Sequence, residues 1–129
     1  MYDPVVTLQR ISKTYSRAGT DVSVLRDLSF TIPAGTFLAI MGPSGSGKST
    51  LLNVMAGIDR PTSGSVVVAG TRLDDLSEGD MARWRARHIG YVFQSYNLIP
   101  VLTASENVEL PLLLTHLSRQ ERREHVKTA

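Results

Sequence analysis

Apolar and polar residues alternate with a period close to two over Val5 to Ile11 and Val22 to Ile32, with Leu28, Phe30 and Ile32 on one face and Ser29 and Thr31 on the other. This predicts two strands of an antiparallel sheet exposed on one side. Pro33-Ala34-Gly35 then marks a turn, and the alternation stops: Phe37-Leu38-Ala39-Ile40-Met41 is apolar throughout. Such a run predicts a strand covered on both faces, as in the core of a parallel sheet. A glycine-rich loop, Gly42 to Gly47, leads into Lys48 to Ala56, where Leu51, Leu52 and Met55 recur at helical spacing and Gly57 offers a C-terminal cap.

Further on, Pro61-Thr62-Ser63-Gly64 predicts a turn and Ser65 to Ala69 a short β-branched strand. Ser77 and Asp80 open a helix over Met81 to Arg87 in capping-box fashion, with Arg83, Arg85 and Arg87 expected in solvent and Trp84 given no role. Ile89 to Phe93 predicts another strand, ended by Gln94 and a polar loop through Asn97. Thr103 with Glu106 and Ser118 with Glu121 are capping boxes for two more helices, the first kinked or ended by Pro111. After Ser118 no Gly, Asn or Pro closes the pattern, which reads as a sequence cut inside an element.

Composition narrows the chemistry. A net charge of +2 over 129 residues, without a basic cluster, argues against a nucleic-acid partner. There is no cysteine, so disulfides, thiolate catalysis and Cys-ligated zinc are excluded, and His88, His116 and His125 lack metal-ligand spacing. Met1 to Arg10 has no leader pattern and no apolar run approaches the length of a membrane span, so the chain is expected to be soluble by itself.

Gly42-Pro43-Ser44-Gly45-Ser46-Gly47-Lys48-Ser49 fits the phosphate-loop pattern G-x-x-x-x-G-K-[ST] between an apolar segment and a helix. Gly42, Gly45 and Gly47 allow backbone conformations that turn successive amides onto phosphate oxygens, with Ser44 and Ser46 as spacers. The helix N-terminus adds positive charge, Lys48 brings an ammonium to the β- and γ-phosphates, and the Ser49 hydroxyl is a Mg²⁺ ligand.

The wording Met41-Gly-Pro-Ser-Gly-Ser-Gly-Lys-Ser-Thr-Leu-Leu-Asn53 followed by Gly57-Ile-Asp-Arg-Pro-Thr-Ser-Gly64 resembles the ATP-binding cassette (ABC) transporter ATPases. Ile89-Gly-Tyr-Val-Phe-Gln94, Asn97-Leu-Ile-Pro100 and Leu102-Thr-Ala-Ser-Glu-Asn-Val108 resemble that family's Q-loop region, and the branch most similar in wording is lipoprotein-releasing and macrolide-export. The resemblance implies an α/β P-loop NTPase of ABC type with an N-terminal antiparallel β-subdomain, truncated before the signature motif. Residues 1–94 would form the nucleotide-binding core with its β-subdomain, and 95–129 the Q-loop and the start of a helical subdomain.

By the same resemblance the cofactors are ATP and Mg²⁺. Tyr15, expected between the first two strands, takes the place of the aromatic that stacks on adenine, and Thr50 is placed to hydrogen-bond the α-phosphate. Gln94 matches the Q-loop glutamine, a Mg²⁺ ligand, and is grouped with Lys48 as catalytic. The implied partners are a membrane permease and a second ATPase subunit in a head-to-tail dimer, on the cytoplasmic face of the cell membrane.

Leu-Ser-Gly-Gly-Gln, an apolar run ending in Asp-Glu and a switch histidine are not found in the sequence. Two expectations follow. The chain by itself is catalytically incomplete, and Phe37 to Met41, lacking neighbouring strands, leaves apolar sheet edges exposed. The alternative reading is a non-catalytic nucleotide-binding fragment or a degenerate reading frame. A P-loop kinase or GTPase is disfavoured by the lack of an arginine lid or an Asn-Lys-x-Asp motif.

Overall fold

A computed structural model describes residues 3–17 and 19–129; Met1 and Tyr2, the start of the segment read for a leader, and Ala18 lie outside the described residues. The chain groups into two compact units, Met1–Tyr91 and Val92–Ala129.

In the first unit β1 (Pro4–Arg17) and β2 (Thr20–Pro33) pair antiparallel, from Val6 opposite Ile32 to Arg17 opposite Thr20. Both run further toward their connection than the alternation alone marks out, because Thr14 and Tyr15 are good strand formers that pair with Ser23 and Val22. The predicted faces hold: Leu28, Phe30 and Ile32 are half-buried, while Ser29 and Thr31 are exposed. β3 (Ser63–Val68) pairs antiparallel with the other side of β1 and carries the two-residue β4 (Thr71–Arg72), giving the order β2-β1-β3-β4.

Two irregularities bend the hairpin. Arg10 and Asp27 adopt φ of 48° and 45°, and the register slips between Leu8 and Ile11. Their amides remain satisfied, Arg10 N–H by Ser29 Oγ at 2.8 Å and Asp27 N–H by Ser12 Oγ at 3.0 Å, as expected of a bulge kept within a sheet.

α1 (Lys48–Met55) buries Leu51 and Val54. Its end is a Schellman motif: Gly57, at φ 64°, donates to the Val54 carbonyl and Ile58 to the Asn53 carbonyl. After a 3-10 turn at Leu73–Asp75, α2 (Glu78–His88) starts at Ser77, whose hydroxyl accepts from Asp80 N–H at 3.2 Å. Met81 and Trp84 of α2 join Leu8, Ile11, Leu25, Leu51, Val54, Val66, Val68 and Leu73 in one core. Each of these larger side chains contributes on the order of 1.5–3 kcal/mol by leaving water. Trp84 is therefore a core residue. Arg83 and Arg87 are exposed as expected, but Arg85 is half-buried and donates to the Gly57 carbonyl at 2.7 Å, fastening α2 to the end of α1.

Two expected strands do not form. Phe37 to Met41 has no regular structure, with Phe37 98% and Met41 90% exposed and only Ile40 packed on the core. A strand covered on both faces draws its ladder from flanking strands, and among the described residues none pairs with it. Ile89 to Phe93 is likewise irregular: Ile89 packs on the core and Tyr91 donates to Asn53 Oδ1 at 2.8 Å.

The second unit holds α3 (Ala104–Glu109), a 3-10 turn at Leu110–Leu114 and α4 (Arg119–Thr128). The capping boxes predicted at Thr103 and Ser118 are complete and Pro111 ends α3, whereas at Ser77 of the first unit the Asp80 carboxylate takes the Ser77 hydroxyl, so that box is not reciprocal. Asn107 holds the turn ahead of α3, accepting from Ile99 N–H at 2.7 Å and donating to the Ile99, Leu102 and Thr103 carbonyls. Among the described residues no helix is long and apolar enough to cross a membrane.

Candidate functional site

The Gly42 to Gly47 loop begins where the apolar run ends and closes directly onto α1. Ser46 N–H donates to the Pro43 carbonyl at 3.2 Å, and Gly45 and Gly47 take φ of 80° and 92°, which side-chain-bearing residues rarely adopt. At Gly47 space is limiting as well: a Cβ there would stand 3.1 Å from side-chain atoms of Val24 and Leu25, so the loop lies directly against β2. At Gly42 a Cβ would sit 2.8 Å from Ser46 Oγ.

Gly47 is the N-cap of α1, and no side chain caps the helix. The amides of its first turn are thus left for solvent or an anion, in the helix end that carries partial positive charge. Lys48 Nζ folds back over the loop, donating to the Gly42 and Pro43 carbonyls at 2.8 Å each and reaching Ser46 Oγ at 3.5 Å. One full and several partial positive charges meet within eight residues, with Ser44, Ser46 and Ser49 exposed beside them. Chemically this is a receptor for a compact polyanion. A cleft of about 400 Å³ opens between β2 and the loop, its walls including Val24, Arg26, Met41 and Lys48.

Tyr15 lies inside β1, opposite Val22, and not in the connection between the first two strands, because the hairpin pairs as far as Arg17 and Thr20. Its hydroxyl donates to Asp59 Oδ2 at 2.6 Å, and Lys13 Nζ stands 4.7 Å from the ring centroid. Lys13 Nζ also donates to Asp59 Oδ1 at 2.6 Å and to the Arg60 carbonyl at 2.7 Å. The Asp59 carboxylate, by accepting this bond, raises the Tyr15 hydroxyl above its ordinary pKa; burial adds to this and a hydrogen bond with the Thr50 side chain opposes it. For Asp59 itself burial works upward, but the bonds from Lys13, Tyr15 and the Arg60 amide together hold it below the usual carboxylate value.

Thr50 is half-buried in the first turn of α1. Lys13 and Asp59 were assigned nothing from sequence; the two-residue spacing of Lys13 and Tyr15 on one strand face is the signal that exposes the first of them. Gln94 is an exposed residue of the second unit, in the polar stretch ahead of α3. Among the described residues no group of three or more His, Cys, Asp or Glu is arranged to hold a metal ion.

The loop and its helix have counterparts in known proteins. The ABC transporter family profile matches residues 25–129. The chain is 44% identical over 125 residues to the ABC transporter ATP-binding protein YvrO of Bacillus subtilis, covering 97% of this chain and 55% of that protein. It is 43% identical over 124 residues to the macrolide export ATP-binding/permease protein MacB of Burkholderia pseudomallei, covering 96% of this chain and 19% of MacB.

Among solved structures, the ATP-binding cassette MJ0796 in a dimeric post-hydrolysis state with ADP and Pi superposes with a TM-score of 0.86 at 42% identity, over 95% of this chain and 54% of that one. The chain therefore spans about half the length of YvrO and MJ0796. With the antiparallel β-subdomain, the glycine loop and its helix all matched by these relatives, the chain belongs to the ABC transporter family, as the N-terminal part of its ATP-binding domain.

Proposed function

We propose that this chain is the nucleotide-binding half of a transporter ATPase, and that its loop from Gly42 to Gly47, with Lys48, Ser49 and Thr50, holds the phosphates of ATP. The observation that carries this reading is the uncapped N-terminus of α1, preceded by left-handed Gly45 and Gly47 and overlaid by the Lys48 ammonium. These groups fit a triphosphate in charge and in donor supply. Ser49 would give the hydroxyl ligand to Mg²⁺ and Gln94 a side-chain oxygen, while Tyr15 would offer its ring to adenine. Mg²⁺, when bound, offsets phosphate charge during phosphoryl transfer. Lys48 would exchange the Gly42 and Pro43 carbonyls for phosphate oxygens, and the first-turn amides would bind phosphate without rearranging.

In the whole protein, ATP binding and hydrolysis would be coupled to substrate movement through a membrane permease, with a second ATPase subunit facing the first head to tail on the cytoplasmic side. Support comes from MacB, whose name joins ATP-binding and permease functions, and from the dimeric MJ0796 structures. For this chain by itself, binding without turnover is the expected activity, since phosphoryl transfer also needs a group that positions the attacking nucleophile. The test is a titration with Mg-ATP. Lys48→Ala should weaken binding by about tenfold to a hundredfold through loss of charge-assisted hydrogen bonds. Equal affinity in wild type and variant removes the assignment.

A further inference from the structure

The side chains around Tyr15 form a closed set of contacts that the phosphate loop does not need. Asp59, in the segment after α1, accepts from Tyr15 Oη through one carboxylate oxygen and from Lys13 Nζ through the other, both at 2.6 Å. Lys13 is held a second time by the Arg60 carbonyl at 2.7 Å, and Asp59 Oδ1 also accepts the Arg60 amide at 2.8 Å. Arg60 in turn is anchored on Glu78 and on the Asp74 and Leu76 carbonyls. The Lys13 and Asp59 side chains retain only 12% and 27% of their exposure, so this pair is screened less by water than a surface ion pair. Tyr15 is different: it stays 40% exposed although its hydroxyl and one face are committed.

A tyrosine ring turns about χ1 and χ2, and each freedom it loses before a ligand arrives is a cost the complex no longer carries. Here the Asp59 bond fixes the tip of the ring and the Lys13 ammonium stands over the ring itself. A flat aromatic ligand can therefore stack only on the remaining open side.

We infer that Lys13 and Asp59 are positioning residues for the nucleotide base: through the hydroxyl and one face of Tyr15 they lock its ring with a single side free, and so set how strongly a base-bearing triphosphate is preferred over a bare one. This rests on the reading of Tyr15 as the base contact given above. A clamp that only fastened β1 to the segment after α1 would affect both ligands alike, because the phosphate loop lies outside the contacts described.

The test compares Mg-ATP with Mg-tripolyphosphate on the full chain by equilibrium titration, with circular dichroism and a thermal transition recorded for each variant. Lys13→Met and Asp59→Asn should each lose about threefold to tenfold in ATP affinity while tripolyphosphate affinity stays unchanged. Tyr15→Phe keeps the stacking surface but removes the hydroxyl, so it should lose a similar factor. Asp59→Asn added to Tyr15→Phe should cost less than it does in the wild type, since the bond it acts through is gone. If the variants weaken both ligands equally, or neither, the inference is overturned. Wild type that prefers ATP no more than tripolyphosphate overturns the base reading of Tyr15, and wild type that binds neither overturns the phosphate-loop reading.

Discussion

At the scale of single residues, Gly47 combines three demands that no other amino acid meets. It caps α1, takes φ 92°, and approaches Val24 and Leu25 so closely that even a methyl group would stand 3.1 Å from their side chains. Gly47→Ala should destabilise the first unit by about 1–3 kcal/mol, from left-handed strain and displacement of β2; a thermal transition within error of the wild type would show that the loop relaxes freely. Ser49 is exposed at the second position of α1 and is not one of the core residues. Ser49→Ala should therefore leave the thermal transition unchanged and weaken ATP binding in Mg²⁺ more than in EDTA. A gap between wild type and variant that EDTA does not alter would remove Ser49 as a ligand.

Among the elements, α3 and α4 are short and hydrophilic, so their ends matter more than their faces. In each the cap hydroxyl accepts the N3 amide while the N3 glutamate accepts the cap amide, at 2.7 Å for Glu106 on Thr103 and for Glu121 on Ser118. Thr103→Ala should cost about 1 kcal/mol of local helix stability and speed amide exchange in α3, leaving α1 and α2 unaffected. Features of this kind were legible in the sequence because they are local. Capping boxes, the glycine loop and the alternation in β2 each depend on residues a few positions apart.

Phe37 to Met41 was misread for the opposite reason. Its apolar run says that both faces want cover, but a strand exists only when flanking backbone supplies hydrogen bonds, which a one-dimensional pattern does not encode. Asp59 escaped notice similarly: its link to Lys13 and Tyr15 spans more than forty positions and depends on β1 passing beside the end of α1. The phosphate loop itself, though legible as a motif, gave no hint that Lys48 would rest on the Gly42 and Pro43 carbonyls.

For the molecule as a whole, ionisation and apolar exposure set the conditions under which it persists. Asp59, Asp80, Glu106 and Glu121 all lie below their ordinary pKa values; Asp59 is lowered by bonds that outweigh its burial, Asp80 first by the Ser77 hydroxyl, Glu106 by the Thr103 amide and Glu121 by the Ser118 side chain. A depressed carboxylate stabilises the fold above its unfolded value and ceases to do so as pH falls through its folded value, because the unfolded chain binds the proton first. Stability should thus decline below roughly pH 4, and Asp59→Asn should flatten that decline in the first unit. Tyr15, raised, acts with the opposite sign at the alkaline end, where its contribution is lost as pH climbs through its folded value.

Apolar exposure makes the stronger demand. Phe37 and Met41 in the first unit and Val92, Tyr96, Val101 and Leu114 in the second are each at least 89% exposed, large apolar side chains left in water. Unpaired backbone accompanies them in Phe37 to Met41, so the segment offers both apolar contact and free hydrogen-bonding groups to another chain. The chain studied by itself should bind an apolar fluorescent dye at neutral pH and sediment as a concentration-dependent mixture of species. A charged substitution at Phe37 should reduce both signals while Mg-ATP binding persists, since Phe37 belongs neither to the loop nor to the cleft beside it. A monomer that unfolds cooperatively with low dye fluorescence would mean that these side chains find cover within the chain itself.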